Sequence, residues 1–190
     1  MAFTRGDYAA AATLVIERYG GEILAFLRAR LRSASDADEV FGSFAEKLWV
    51  GLPGFEWRCS LKAWAYRLAR NAANDFASAV HNRPGRNLAL SHAPLSRLVD
   101  RVRSTTALHH QTGTKDRMRE LRETLPPDDQ LLLVLRVDRE MDWRDIAVAL
   151  GADEPQDHAA RLDQEAARLR KRFERVKERL RALAQAEGLL

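Results

Sequence analysis

Cysteine is almost missing from this chain, with Cys59 the only one in 190 residues. An intramolecular disulfide is therefore excluded, and a reducing, cytoplasmic setting is the natural inference. Long apolar runs are missing too. None approaches the roughly 18 residues of a membrane-spanning helix, and the amino terminus lacks a basic start followed by an apolar stretch. The expectation is a protein neither secreted nor inserted in a membrane. No sustained alternating segment rich in Val, Ile and Thr occurs, which leaves little room for strands. Nothing couples a nucleophile to a base, and no glycine loop is spaced to hold phosphates. His81, His92, His109 and His110 show no ligand spacing, so neither a metal nor another cofactor is expected. An enzyme is the weakest reading.

What is present is a predominance of helix-forming Ala, Leu, Arg and Glu, with a hydrophobic content of 46% that suffices for a folded core. The fold class expected is all-α. A net charge of +4 is compatible with a polyanionic partner without requiring one. Its distribution says more. Between Ser33 and Ser60, Asp36, Asp38, Glu39, Glu46 and Glu56 outweigh Lys47 and Arg58, for a net −3. From Leu61 to Arg103, Lys62, Arg67, Arg70, Arg83, Arg86, Arg97, Arg101 and Arg103 oppose only Asp75 and Asp100, for a net +6. An acidic patch followed by a basic one implies two different partners.

The periodicity predicts a helix over Tyr8 to Arg32, with Gly20-Gly21 as a candidate break and Ile23, Leu24, Leu27 and Leu31 on one face. A second helix, capped by Ser35 or Asp36, runs to about Val50 and is stopped by Gly51-Leu52-Pro53-Gly54. A third begins near Ser60, a plausible N-cap. In it Leu61, Trp64, Ala65, Leu68, Ala72 and Phe76 make a core face, while Arg67, Arg70, Asn71 and Asn74 share another. Guanidinium groups suit phosphates and amides suit base edges, although a solvated amphipathic helix has the same pattern. Residues 1–84 form the first expected domain. Residues 85–114 read as a linker with one short helix around Ser96 to Leu108, and 115–190 as a second helical domain.

In that second domain Pro127 is placed as a first-turn residue, Asp142 as the cap of Trp143 to Leu150, and Gly151 as the C-terminal glycine. The last helix, about Asp157 to Glu187, carries Leu162, Ala166, Leu169, Phe173, Val176, Leu180 and Leu183 at alternating spacings of four and three. Its basic residues from Arg161 to Arg181 exceed its acids by five. A short helix, a turn and an arginine-rich helix follow the logic of a helix-turn-helix, with part of the last helix entering the major groove.

Both ends of the chain resemble the two modules of bacterial sigma-70 family factors, specifically the extracytoplasmic-function (ECF) type. Asp36-Ala37-Asp38-Glu39-Val40-Phe41, continuing to Trp49, is similar to the family segment that begins Asp-Ala-Glu-Asp. Phe55 to Asp75 is similar to the family's stretch with Ser60, Trp64, Tyr66, Arg67, Ala69, Arg70, Asn71 and Asp75 identical. Leu125-Pro126-Pro127, Asp142 to Gly151 and Arg170 to Lys177 resemble the second module. The resemblance implies that core RNA polymerase and promoter DNA are the partners, with the polymerase supplying all the chemistry. It implies polymerase contacts from Asp36, Asp38, Glu39, Ser43 and Glu46. Contacts with the −10 element would come from Trp57, Arg58, Ser60, Lys62, Arg67, Arg70, Asn71 and Asn74, with Trp57 as a stacking surface for an unstacked base. Those with the −35 element would come from Arg168, Arg170, Lys171, Arg172, Glu174 and Arg175. An anti-sigma factor or another regulator is a further partner that the resemblance leaves open.

Gly42-Ser43 replace the family's Gln-Glu, and about a dozen extra residues lie between Gly151 and Arg170. Two other readings stay open. One is a polymerase-independent helix-turn-helix regulator, which would have no use for the acidic helix or the Trp57 loop. The other is an adaptor whose Leu162 to Leu183 seam pairs with a second helix.

Overall fold

The computed structural model describes residues 8–80, 93–109, 116–151 and 158–190. His81, His92, His110, Arg83, Arg86 and the Ala152 to Asp157 part of the insertion lie outside the described residues. Every regular element among the described residues is helical, in agreement with the all-α expectation. The chain divides into two compact units, Met1–Gln111 and Thr112–Leu190.

In the first unit α1 spans Tyr8–Leu31, α2 Ala34–Gly51, α3 Leu61–Val80 and α4 Ala93–His109. α1 is continuous through Gly20-Gly21. Gly20 is there for packing rather than for bending: a Cβ on it would meet Ile16, Phe41 and Val102, each at 3.3 Å. The missing side chain is what lets α2 and α4 approach α1. Arg32, at φ 56, turns the chain out of α1, and Ser33 caps α2, its Oγ accepting from the Asp36 N–H at 3.2 Å. The cap thus lies two or three residues before the expected Ser35 or Asp36. Ser33 alone has the extended backbone that an N-cap needs, since Ser35 and Asp36 are already helical.

The segment expected to be mostly linker contains α4, whose Leu95, Leu98 and Val99 are buried and which packs on α1 and α2. The first unit consequently extends well past residue 84. α3 packs on both α1 and α2, so it buries a wider arc than the expected face. Ala63, Tyr66, Ala69 and Ala73 join Trp64, Ala65 and Ala72 inside, whereas Leu61, Leu68 and Phe76 are only half-buried. Alanines line this arc, and they allow the helices to sit close together.

In the second unit α5 spans Asp116–Glu123, α6 Pro127–Leu133, α7 Trp143–Ala149 and α8 His158–Ala186. α6 starts on Pro127 and continues as a π turn over Val134–Asp138. The Asp142 carboxylate accepts from the N–H groups of Arg144 and Asp145 and caps α7, which ends at Gly151 with φ 86. α8 packs on α5, α6 and α7, with Ala166, Phe173, Val176 and Ala184 buried. Ala166, Phe173 and Val176 of its apolar seam are therefore used within the unit, while Leu162, Leu169, Leu180 and Leu183 stay half-buried.

Candidate nucleic-acid interface

The connection from α2 to α3 concentrates aromatic surface on a constrained backbone. A 3-10 turn, Leu52–Gly54, is anchored by buried Leu52, and the Phe55 N–H closes it on the Leu52 carbonyl at 3.1 Å. Ser60 then caps α3, its Oγ accepting from the Ala63 N–H at 3.1 Å. Between these two fixed points Phe55 stands in the middle of three rings, with its centroid 4.9 Å from those of both Trp57 and Trp64. Trp64 is the buried end, 7% exposed, and Gly51 lies so close that a Cβ there would meet its ring at 3.2 Å. Trp57 is the outer end, 58% exposed.

Trp57 also has φ 59, in the left-handed region. For a bulky side chain this costs about 1–2 kcal/mol, and such strain gathers at functional sites. An exposed indole backed by a second ring and held on strained backbone gives a flat apolar surface. A base taken out of a duplex can stack on such a surface, gaining about 1–3 kcal/mol.

On α3, Asn71 is exposed, and Arg67 and Arg70 are half-buried on the same side. Two residues of the expected set turn elsewhere. Lys62 runs back over α1, with Nζ 3.6 Å from Glu22 and 5.8 Å from the Tyr19 ring centroid. Its position on the helix matches the buried residues Ala65, Tyr66 and Ala69, so its charge is held between α1 and α3. The same Glu22 carboxylate accepts from the Tyr66 hydroxyl at 3.5 Å. Asn74 is half-buried, and its Oδ1 accepts from Arg30 at 2.9 Å. Ser60 is committed to the cap, and Arg58 pairs with Glu56.

On α2, Asp36, Glu39, Ser43 and Glu46 recur at spacings of three and four and form one half-exposed face. Asp38 does not belong to it. It faces Arg28, which is 15% exposed, at 3.1 Å, and its backbone carbonyl accepts from Arg103 of α4. Asp38 thus joins α1, α2 and α4, and the sequence pattern could not separate it from its acidic neighbours.

In the second unit Trp143 is an anchor for α8. Its ring meets Phe173 edge-on with centroids 5.5 Å apart, while the guanidinium groups of Arg136 and Arg170 lie 4.9 and 5.7 Å from its centroid. Arg170, Lys171, Glu174 and Arg175 are exposed, as is Arg168. Glu174 pairs with Lys177 at 2.8 Å and Arg168 with Glu165. Arg172 turns inward instead, with its Nε 2.6 Å from the Asp129 carboxylate, which is itself only 14% exposed. It ties α8 to α6 and cannot reach a groove without breaking that pair. Arg144 on α7 grips Asp163 with two hydrogen bonds of 2.6 and 2.7 Å. The bond from Arg144 holds the Asp163 carboxyl below its ordinary pKa, and the Asp163 carboxylate raises that of Arg144.

Among the described residues no helix is long and apolar enough to cross a membrane. No curated protein matches this chain. Residues 15–81, which contain all of α2, the aromatic loop and α3, match the family model described as Sigma-70 region 2, and the match supports a place for this segment among sigma-70 factors.

Proposed function

We propose that the chain is an RNA polymerase sigma factor of the ECF type, which binds core polymerase and directs it to promoters by recognising −10 and −35 elements. The observation that carries this reading is the Trp57–Phe55–Trp64 ring cluster, with its exposed outer ring on left-handed backbone, inside the segment that matches Sigma-70 region 2. Opening a duplex costs a few kcal/mol per unstacked step, and an exposed ring offsets part of it by capturing the freed base.

Roles follow from position. The outward acids Asp36, Glu39 and Glu46 supply a surface complementary to a basic helix of the polymerase, which speeds and orients docking. Arg67, Arg70 and Asn71 hold the strand beside the captured base. In the second unit α7 is the supporting helix of a helix-turn-helix, and the exposed part of α8 contacts the −35 element. The polymerase performs the catalysis in this scheme, in the cytoplasm, and the factor needs no cofactor. An anti-sigma factor or other regulator fits the scheme as a further partner.

The test is whether the purified chain co-elutes with core RNA polymerase and lets it open promoters selected from DNA with randomised upstream sequence. Transcripts sharing two short elements at fixed spacing are the expected result. Duplex binding without polymerase binding would favour a polymerase-independent regulator and sink the sigma reading.

A further inference from the structure

The cations of α8 are not spread evenly around its exposed surface. At 3.6 residues per turn, Arg161, Arg168, Arg175 and Arg179 fall within about 40° of one another and form one stripe along a flank of the helix. All four are exposed. With a rise of about 1.5 Å per residue, the stripe runs for about 27 Å. The opposite flank alternates charge: Asp163, Arg170, Glu174, Lys177 and Arg181 share it, and its acids are already engaged by Arg144 and Lys177. On the arginine stripe only Arg168 has an acidic partner among the described residues, Glu165.

A face meant only for solvent gains by interspersing charges, as the opposite flank does. Arg175 and Arg179, one turn apart, repel each other instead. A polyanion laid along the flank would relieve that repulsion. Duplex DNA carries a charge about every 1.7 Å of its axis, so a 27 Å stripe faces a continuous row of phosphates. Both lysines of α8, Lys171 and Lys177, lie off the stripe. The stripe is all guanidinium, whose fork suits phosphate oxygens. Gln164 and Glu178 lie beside the stripe rather than in it, and Glu165 is occupied by Arg168.

We propose that Arg161, Arg168, Arg175 and Arg179 form a sequence-neutral track for the phosphates of duplex DNA. Two of these residues, Arg161 and Arg179, lie outside the set that the family resemblance suggests, and Arg161 belongs to the insertion that lengthens α8. The track grips the backbone, while selectivity at the −35 element falls to the exposed residues of α8 off the stripe, Arg170, Lys171 and Glu174. The identity of the polyanion rests on the promoter-binding reading.

The experiment uses the full chain without polymerase and measures its affinity for several unrelated 30-base-pair duplexes between 50 and 200 mM NaCl. Replacing all four residues in one variant (R161Q, R168Q, R175Q and R179Q) is expected to flatten the slope of log K against log [NaCl] by about 3 to 4, equally on every duplex. Over that salt range the lost sensitivity is about two orders of magnitude in affinity. R170Q combined with K177Q should flatten it by less than half as much. An unchanged slope would overturn the track, as would a loss confined to one sequence. Equal affinity for polyglutamate would overturn it as well, and so would a lowered Tm large enough to account for the lost binding. Co-elution with polymerase, measured separately, tells the two proposals apart: a chain that opens promoters with an unchanged slope loses only the track, and one that fails to bind polymerase yet shows the flattened slope loses only the sigma reading.

Discussion

Trp57 combines a conformational cost with a surface that folding alone does not need, so two substitutions separate the roles. Trp57→Ala and Trp57→Gly both remove the ring, and both lose its contact with Phe55, worth about 0.5–1.5 kcal/mol for an aromatic pair. They differ in the backbone. At φ 59 alanine retains the left-handed penalty of about 1–2 kcal/mol, whereas glycine is relieved of it. Against this, glycine adds about 0.4–1 kcal/mol of freedom to the unfolded chain. Glycine should therefore be the more stable variant by about 0.5–1 kcal/mol, the reverse of the usual order within a helix. Urea denaturation followed by circular dichroism reads that difference on the transition of the first unit. In promoter opening the two variants should fall together. Loss of one stacking partner costs about 1–3 kcal/mol, or roughly 5- to 150-fold in open complex, read by permanganate reactivity of unpaired thymines with polymerase present. An alanine variant as stable as the glycine variant would refute the strain. Wild-type opening by both would refute the stacking role.

Gly20→Ala should destabilise the first unit by about 1 kcal/mol, because overpacking against Ile16, Phe41 and Val102 exceeds the helix-propensity gain of about 0.5–1 kcal/mol; a raised Tm would contradict this. Asp38→Ala should cost about 1–3 kcal/mol of stability by leaving the nearly buried Arg28 unpaired, with polymerase affinity unchanged. Glu39→Gln with Glu46→Gln should do the opposite, slowing polymerase association and leaving the urea midpoint in place. Arg172→Gln should loosen the second unit by about 1–2 kcal/mol through the loss of its bond to Asp129, whereas Lys171→Gln should leave stability alone and lower the salt slope by about 0.9. The Asp163 carboxyl, its pKa lowered by Arg144, contributes stability that is present above its unfolded pKa and lost as pH falls through the lowered folded one; in Arg144→Gln, NMR titration should find it back at its ordinary value.

Local chemistry made much of the fold legible before any coordinates. Ser60, Pro127, Asp142 and Gly151 occupy the positions their chemistry suggested, because a cap or a first-turn proline depends on a few neighbouring residues. What escaped depends on residues distant in sequence. Gly20 looked like a break because its reason, the close approach of Phe41 and Val102, lies on two other helices. Ala65 and Ala72 belong to the expected face of α3 and are buried, whereas Ala63, Ala69 and Ala73 lie outside it, because alanine carries little weight in a hydrophobic stripe but packs well where helices come close. In the site, residue types were legible and directions were not. Asp38 and Glu39 are adjacent acids, yet only tertiary packing turns the first toward Arg28 and Arg103. Nothing in the sequence signalled the left-handed backbone of Trp57, a residue type that seldom adopts it.

The same sorting bears on how charge should be read in helical DNA-binding chains. A count of basic residues treats Arg28, Arg103, Arg144 and Arg172 as equals of Arg161, Arg175 and Arg179. The first four are engaged with Asp38 or its carbonyl, Asp163 and Asp129, and they hold helices together. Moving any of them onto a phosphate would exchange one polar contact for another, so much of the gain from counterion release is offset by what the fold loses. The last three have no acidic partner among the described residues and stand on one flank, so phosphates can engage them with little loss elsewhere. Arrangement, more than the modest net charge of +4, therefore decides how strongly this chain responds to a polyanion.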